Sequence, residues 1–389
     1  MSEKTKGSVK KFLRSAGMIM ALLLLSFLGG FLFGKFLTTL EVSDDLQLFG
    51  MLGLFLLWLY LSMFLHTAAH EWGHYIFGRI TGYRFASYRL GSFILIRLDG
   101  KLQIKRFSLA GTDGQCLMDP PDMKDGQVPY VLYNLGGSIV NLLLGLAAVI
   151  PACLLHDTGI LTPLLWAFAI VGFAFALLNG IPMKVGMVNN DGHNALSLGK
   201  SPAALRSFWI QMKGNVLTGK GVRIKDMPAE WFVMPEEEEL QNTMTAVLAV
   251  LACNRKMDEG KLTEADSMME KLLSGKNAVL ELHRRLLYCD RIFCLLHHDR
   301  PEEAATLYDK KQQKFMKSMK QFPSVLRTEY TIAILWKQDS AKAAEVLERF
   351  EKCEKIYPYP VEFESERELI DLAAEKAVSD SCTSSQNMV

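Results

Sequence analysis

Charge is spread so unevenly along this chain that its two halves cannot share one solvent. Residues 15–34, 46–65, 128–155 and 159–183 contain no Asp, Glu, Lys or Arg. At helical rise each is long enough to cross the ~30 Å hydrocarbon core of a bilayer. No such run recurs after residue 183, where the chain reads as a charged, helical, water-soluble protein. The pattern predicts a mainly α fold: a polytopic transmembrane helix bundle followed by a cytoplasmic helical-repeat domain. The second helix continues past its apolar run, giving helices of about 15–34, 46–78, 128–155 and 159–183.

The loops between these runs orient the chain. Lys4, Lys6, Lys10, Lys11 and Arg14 precede the first run, whereas the next loop holds Glu41, Asp44 and Asp45 and no basic residue. Arg79, Arg84, Arg89, Arg97, Lys101, Lys105, Arg106 and Lys124 follow the second run, and only His156 and Asp157 follow the third. Basic loops stay in the cytoplasm, so both termini and the 79–127 loop are expected there, in a multi-pass protein of the cell membrane. The basic start and apolar run could mimic a signal peptide, but no small-x-small cleavage site precedes Lys35, and the run reads as a retained helix. The net charge of +1 and the lack of a basic stripe give no sign of a nucleic-acid partner. Seven cysteines, odd in number and scattered, suit free thiols in a reducing compartment.

Chemistry concentrates at the end of the second helix, in His70-Glu71-Trp72-Gly73-His74. Residues four apart share a helix face, so His70 and His74 can present imidazoles to one metal. Glu71, beside the first ligand, can reach a metal-activated water and serve as general base. Zn2+ would supply Lewis acidity and acidify that water. From Leu46 to His70 is about 36 Å of helix, which places the motif near the cytoplasmic side. The competing reading is a set of polar residues snorkelling to the interface, but ionisable groups in membrane helices are costly and commonly functional. A third ligand is needed, and Asp191 follows the fourth helix after a break at Pro182. An ordinary Asn-Asp-Gly turn is the alternative for Asp191. His66 faces the same way as His70, where a supporting or buried polar role fits better than ligation. His193 reads as a turn residue, Trp72 as a packing residue, and His297 and His298 as non-catalytic.

The rest of the chain organises around this site. Residues 93–107 predict a β-hairpin turning at Asp99-Gly100, with an edge able to hold a peptide extended by strand addition. Residues 195–236 read as a connector whose amphipathic stretch 203–217 suits the membrane surface. Residues 237–375 read as helical hairpins, with Ala265, Ala304 and Ala343 spaced 39 apart. They resemble tetratricopeptide repeats of stretched period, an unrelated helical bundle being the alternative, and 376–389 reads as a disordered tail.

Taken together, His70-Glu71-x-x-His74, Asn179…Pro182…Asp191-Gly192 and Gly137-x-x-x-Asn141 resemble the site-2 protease family of intramembrane zinc metalloproteases over residues 50–195. The resemblance implies a zinc held by His70, His74 and Asp191, with Glu71 as catalytic base and Asn141 and Gly137 beside the substrate. It further implies cleavage of a single-span membrane protein near the cytoplasmic side. A cytosolic protein bound by the helical domain is a further expected partner. The chain departs from the family at Gly180, where Asn-Pro-x-Pro is common, in the eight residues between Pro182 and Asp191, and in having no PDZ-type domain. The alternatives are a peptidase acting on peptides from the cytosol and an inactive docking scaffold, against which the intact Glu71 argues. A reporter fused after residue 44 should be extracytoplasmic, and reporters fused after 110 or 389 cytoplasmic. A cytoplasmic signal at residue 44 would overturn the four-helix topology.

Overall fold

The computed structural model describes residues 27–31, 34–38, 44–98, 101–106, 113–155, 160–185 and 188–386. It is mainly helical with one small antiparallel sheet. Two compact units emerge, one of residues 1–81, 129–185 and 189–196, the other of 82–128, 186–188 and 197–389.

In the first unit, α1 (Asp45–Ile80) opens on an Asp44 side chain that accepts from the Gln47 amide at 2.8 Å, satisfying one of the orphan donors of the first turn. It ends where Thr81 donates its amide to Phe77 and Gly78. Then come α2 (Val131–Leu154), α3 (Leu161–Gly180) and the short α4 (Asp191–Ser197). Among the described residues, α1, α2 and α3 are long and apolar enough to cross a membrane. Most of the run expected at 15–34 lies outside the described residues; residues 27–31 and 34–38, which overlap its end, are helical.

The polarity of these helices is inverted. Those of soluble proteins bury apolar residues and expose polar ones. Helix α1 buries Ser62, His66, His70, Glu71 and His74 and exposes Leu54, Leu56, Leu57, Tyr60 and Phe64. Helix α2 buries Asn134, Gly137, Ser138, Asn141, Gly145 and Ala148 at helical spacing. Small residues let the backbones meet: a Cβ added at Gly73 would lie 2.3 Å from the Gly136 carbonyl oxygen, so α1 and α2 touch main chain to main chain.

The second unit holds the sheet, of strands β1 (Arg84–Leu90), β2 (Phe93–Leu98), β3 (Lys101–Arg106) and β4 (Gly114–Asp119) in the order β3-β2-β1-β4. The expected hairpin is present as β2 and β3, with Leu98 opposite Lys101; Asp99, Gly100 and Phe107 lie outside the described residues. The sequence reading missed β1 and β4, which complete the sheet. The two-residue strands β5 (Lys184–Val185) and β6 (Val188–Asn189) follow α3.

The stretch expected to be a connector is an integral part of this unit. Helix α5 (Pro202–Gly219) buries Ile210, which packs with Met227 and Phe232 against Leu248 and Ala252 of α6 (Thr243–Asp258). Lys213 pairs with Asp119 of β4 at 2.9 Å, and Trp209 Nε1 donates to the Pro121 carbonyl at 2.9 Å. A boundary at 236/237 would cut this core. The apolar face expected to lie on lipid is used inside the protein, because α6 presents a complementary face.

The helical hairpins have the expected junctions. Helix α6 meets α7 (Leu262–Ser274), and α8 (Glu281–His297) meets α9 (Pro301–Leu307). After α10 (Lys310–Ser318), α11 (Pro323–Thr331) runs through a π turn (Ile332–Trp336) to meet α12 (Ser340–Ile356). Gly260, Asp299 and Gln338 all adopt positive φ, so the same left-handed turn recurs with the spacing of the buried Ala265, Ala304 and Ala343. Helix α13 (Pro360–Gln386) corrects the expected disordered tail. No Gly or Pro interrupts residues 361–386, and Lys376 binds Asp299 at 2.8 Å and Asp380 at 3.6 Å. Cys153, Cys253, Cys289, Cys294 and Cys353 are free thiols.

Buried carboxyls, Glu362 and Glu366, should make this unit sensitive to pH. Burial pushes the Glu362 carboxyl up from 4.5 to about 7, more than the hydrogen bond from Tyr357 Oη lowers it. A carboxyl raised in the folded state contributes stability in full below pH 4.5, and that contribution is lost as pH rises through about 7. Glu362→Gln keeps an acceptor for Tyr357 and should remove about 1–3 kcal/mol of the stability lost between pH 5 and 8. Denaturation of the detergent-solubilised chain, followed by circular dichroism, measures this; an unchanged pH slope would place the sensitivity elsewhere.

Candidate metal centre

The site is built where α1, α2, α3 and α4 meet within the first unit. His70 and His74 lie one turn apart on α1, and both are buried. Their Nε2 atoms are 3.2 Å apart. Asp191, the first residue of α4, brings Oδ2 to 3.0 Å from His70 Nε2 and 3.5 Å from His74 Nε2. These three groups are positioned to hold one metal ion. Burial alone would raise the Asp191 carboxyl; the hydrogen bonds and charge of His70 and His74 outweigh it and hold the group below the usual carboxylate range. Glu71 is buried next to His70 and stands outside the ligand triad.

The placement of Asp191 follows from the break after α3. Ile181 turns to an extended conformation, as the residue before a proline must. Asn190 then ties the break together. Its Nδ2 donates to the carbonyls of Leu178 (2.7 Å) and Ile181 (2.6 Å), and its Oδ1 accepts from the amides of Met183 and His193 (both 2.9 Å). One side chain thus closes the end of α3 and the start of α4. The Asn190 amide also donates to the Met183 carbonyl at 3.1 Å. Met183 and Asn190 are therefore bonded directly to each other, which shortens in space the long interval between Pro182 and Asp191. Gly192 seats α4, since a Cβ there would lie 2.1 Å from the Gly180 carbonyl oxygen.

Each ligand is oriented from behind. His74 Nδ1 donates to the Tyr133 carbonyl at 2.7 Å, which directs the lone pair of Nε2 toward Asp191. Holding the non-ligating nitrogen in this way is the usual support for a metal-bound imidazole. Gly137 leaves room for the His70 ring: a Cβ there would come within 2.4 Å of Cε1. Asn141 is fully buried, with Nδ2 3.2 Å from His70 Nδ1 and Oδ1 3.1 Å from His66 Nδ1. The family resemblance implies a place beside the substrate for Gly137 and Asn141; in the structure both lie against His70. Trp72 is half exposed, apart from the triad.

The sequence reading missed Asn190 and Tyr133. Asn190 carried a usable signal, an Asn directly before an acidic helix start. Tyr133 acts through its main-chain carbonyl and carried none. Asn190→Ala removes four hydrogen bonds around Asp191 and should weaken divalent-metal affinity at least about 10-fold, read by competition with a chromogenic chelator. Unchanged affinity would mean that Asp191 is placed without this clamp.

Compared with known proteins, the chain matches no family model, no curated protein and no solved structure.

Proposed function

We propose that this chain is an intramembrane zinc metalloprotease of the site-2 protease kind, with His70, His74 and Asp191 as metal ligands and Glu71 as general base. The observation that carries this reading is the ligand triangle, with edges of 3.0, 3.2 and 3.5 Å. Ligand atoms about 2.0–2.1 Å from one tetrahedral zinc stand roughly 3.3 Å apart. Two imidazoles and one carboxylate also suit zinc better than the harder cations, which prefer all-oxygen sites. Three protein ligands leave one position open, as catalysis requires.

A bound zinc supplies Lewis acidity and lowers the pKa of water. The chain's own groups do the rest. His70 and His74, held from behind, and Asp191, clamped by Asn190, keep the three ligands in register without reorganisation. Glu71 takes the proton of the attacking water and passes it to the leaving amine. A peptide bond must be freed from its helix before attack, and β3, an edge strand with Ile104 exposed, offers main-chain groups to an extended segment.

The inverted polarity of α1 and α2 supports insertion in lipid, where apolar side chains face outward and polar groups need internal partners. The basic 79–127 loop supports a cytoplasmic position for it. The substrate class is then a membrane-anchored protein cut near the cytoplasmic side, and the α6–α13 region is a docking surface for a cytosolic partner or substrate tail.

Glu71→Gln should abolish proteolysis and leave near-stoichiometric zinc. Membrane proteomes of cells carrying each form would then differ in stabilised single-span proteins, and metal analysis of the purified variant gives the second readout. Loss of zinc with activity would make Glu71 a ligand; full activity would end the protease reading.

A further inference from the structure

His66 lies one turn before His70 and is fully buried. Its ring sits 4.3 Å from that of Phe168, centroid to centroid, and Gly172 leaves its space, since a Cβ there would lie 2.6 Å from Cε1. Its two nitrogens have different partners. Nε2 is 3.1 Å from the Phe168 carbonyl, and Nδ1 faces Asn141, whose far side faces His70 Nδ1.

Counting protons along this line decides how it works. A carbonyl only accepts, so His66 Nε2 carries a hydrogen. A neutral His66 ring then has a lone pair on Nδ1, and the partner it needs there is a donor. Rotating the Asn141 amide by half a turn exchanges its oxygen and nitrogen without moving another atom. In that orientation the Asn141 N–H donates to His66 Nδ1, its oxygen accepts from His70 Nδ1–H, and His70 Nε2 presents a lone pair to a metal. In the opposite orientation Asn141 donates to His70 Nδ1. The hydrogen of His70 then sits on Nε2, where it bonds Asp191 Oδ2 at 3.0 Å and blocks ligation, while His66 is left with a mismatched contact.

We propose that His66 is a positioning residue: anchored on the Phe168 carbonyl, it turns Asn141 so that His70 is held in its metal-ligating tautomer. The inference rests on the metal centre proposed above and ties it to the middle of α3, where Phe168 lies. His66 itself does not ligate.

The test is zinc affinity of the full-length, detergent-solubilised chain, measured by chelator competition. His66→Leu should weaken binding about 10–100-fold, the usual cost of losing a partner that orients a ligand. His66→Gln, which keeps an acceptor for Asn141 and a donor for Phe168, should stay within a few-fold of wild type. A carboxylate at 141 offers His70 an acceptor in either orientation, so in an Asn141→Asp background His66→Leu should cost little. If His66→Leu binds zinc like wild type, or costs as much beside Asn141→Asp as it does alone, His66 only packs and the relay is wrong. A wild-type chain that holds no stoichiometric zinc would instead overturn the metal centre and the relay with it. The His66→Gln and double variants keep the proposal decidable should His66→Leu fail to fold.

Discussion

Two imidazoles one helical turn apart define only one edge of a candidate metal site, and the break after α3 returns a carboxylate to that edge. Asp191 lies 121 residues from His70. Closing a loop of that length costs roughly 4 kcal/mol in chain entropy, more than one partly buried hydrogen bond returns. The packing of α1, α2 and α3 must therefore bring the ends together before any ligand contact forms. Asn190 and Gly192 settle the last few ångströms. The Asn190 side chain donates to the Leu178 and Ile181 carbonyls and accepts from the Met183 and His193 amides, so four main-chain groups at the break find partners in one side chain.

The same economy explains the small residues. In an apolar surround a polar side chain without a partner is expensive, so every buried imidazole needs both space and a hydrogen-bond partner. Gly137 gives space to His70, and Gly172 gives space to His66. The partners are main-chain carbonyls at Tyr133 and Phe168 and one amide side chain, Asn141. Main-chain carbonyls suit this role because, once the helices are packed, neither their position nor their character as acceptors can change. Close backbone approach at Gly73 and Gly136 and precise orientation of the ligands are thus one device.

How legible this was depended on whether a group acts through its side chain and within a local period. The meeting of His70, His74 and Asp191 was legible, because two metal-ligating residue types repeat at helical spacing and a carboxylate follows a proline break. The helix-pair junctions were legible from Ala265, Ala304 and Ala343, and the recurring left-handed residues Gly260, Asp299 and Gln338 share that spacing. Strands β1 and β4 were not. Strand β4 finds its partner β1 only across a long interval, and β1, although it pairs with the neighbouring β2, reads Arg84-Phe-Ala-Ser-Tyr-Arg-Leu90, a weak alternation with two arginines, one of which, Arg89, is buried and donates to the Gly91 and Gly114 carbonyls. The amphipathic face of α5 was visible, but periodicity shows only that a face is apolar. Whether lipid or α6 covers it is a tertiary matter.

The interval between Pro182 and Asp191 shows why residue counting is a poor guide to such sites. In sequence the eight intervening residues set the carboxylate apart from the helix that ends at Gly180. In space Met183 and Asn190 adjoin, exchanging main-chain and side-chain hydrogen bonds. An excursion closed at its base can change length without moving the helix beyond it, and the entropy of lengthening it grows only with the logarithm of its size. The element that must be kept is the closing residue. In this chain that role falls to an asparagine, whose amide has both the donors and the acceptor that the two helix ends require. An aspartate there would lose both donors, and a leucine would leave all four main-chain groups without their side-chain partner.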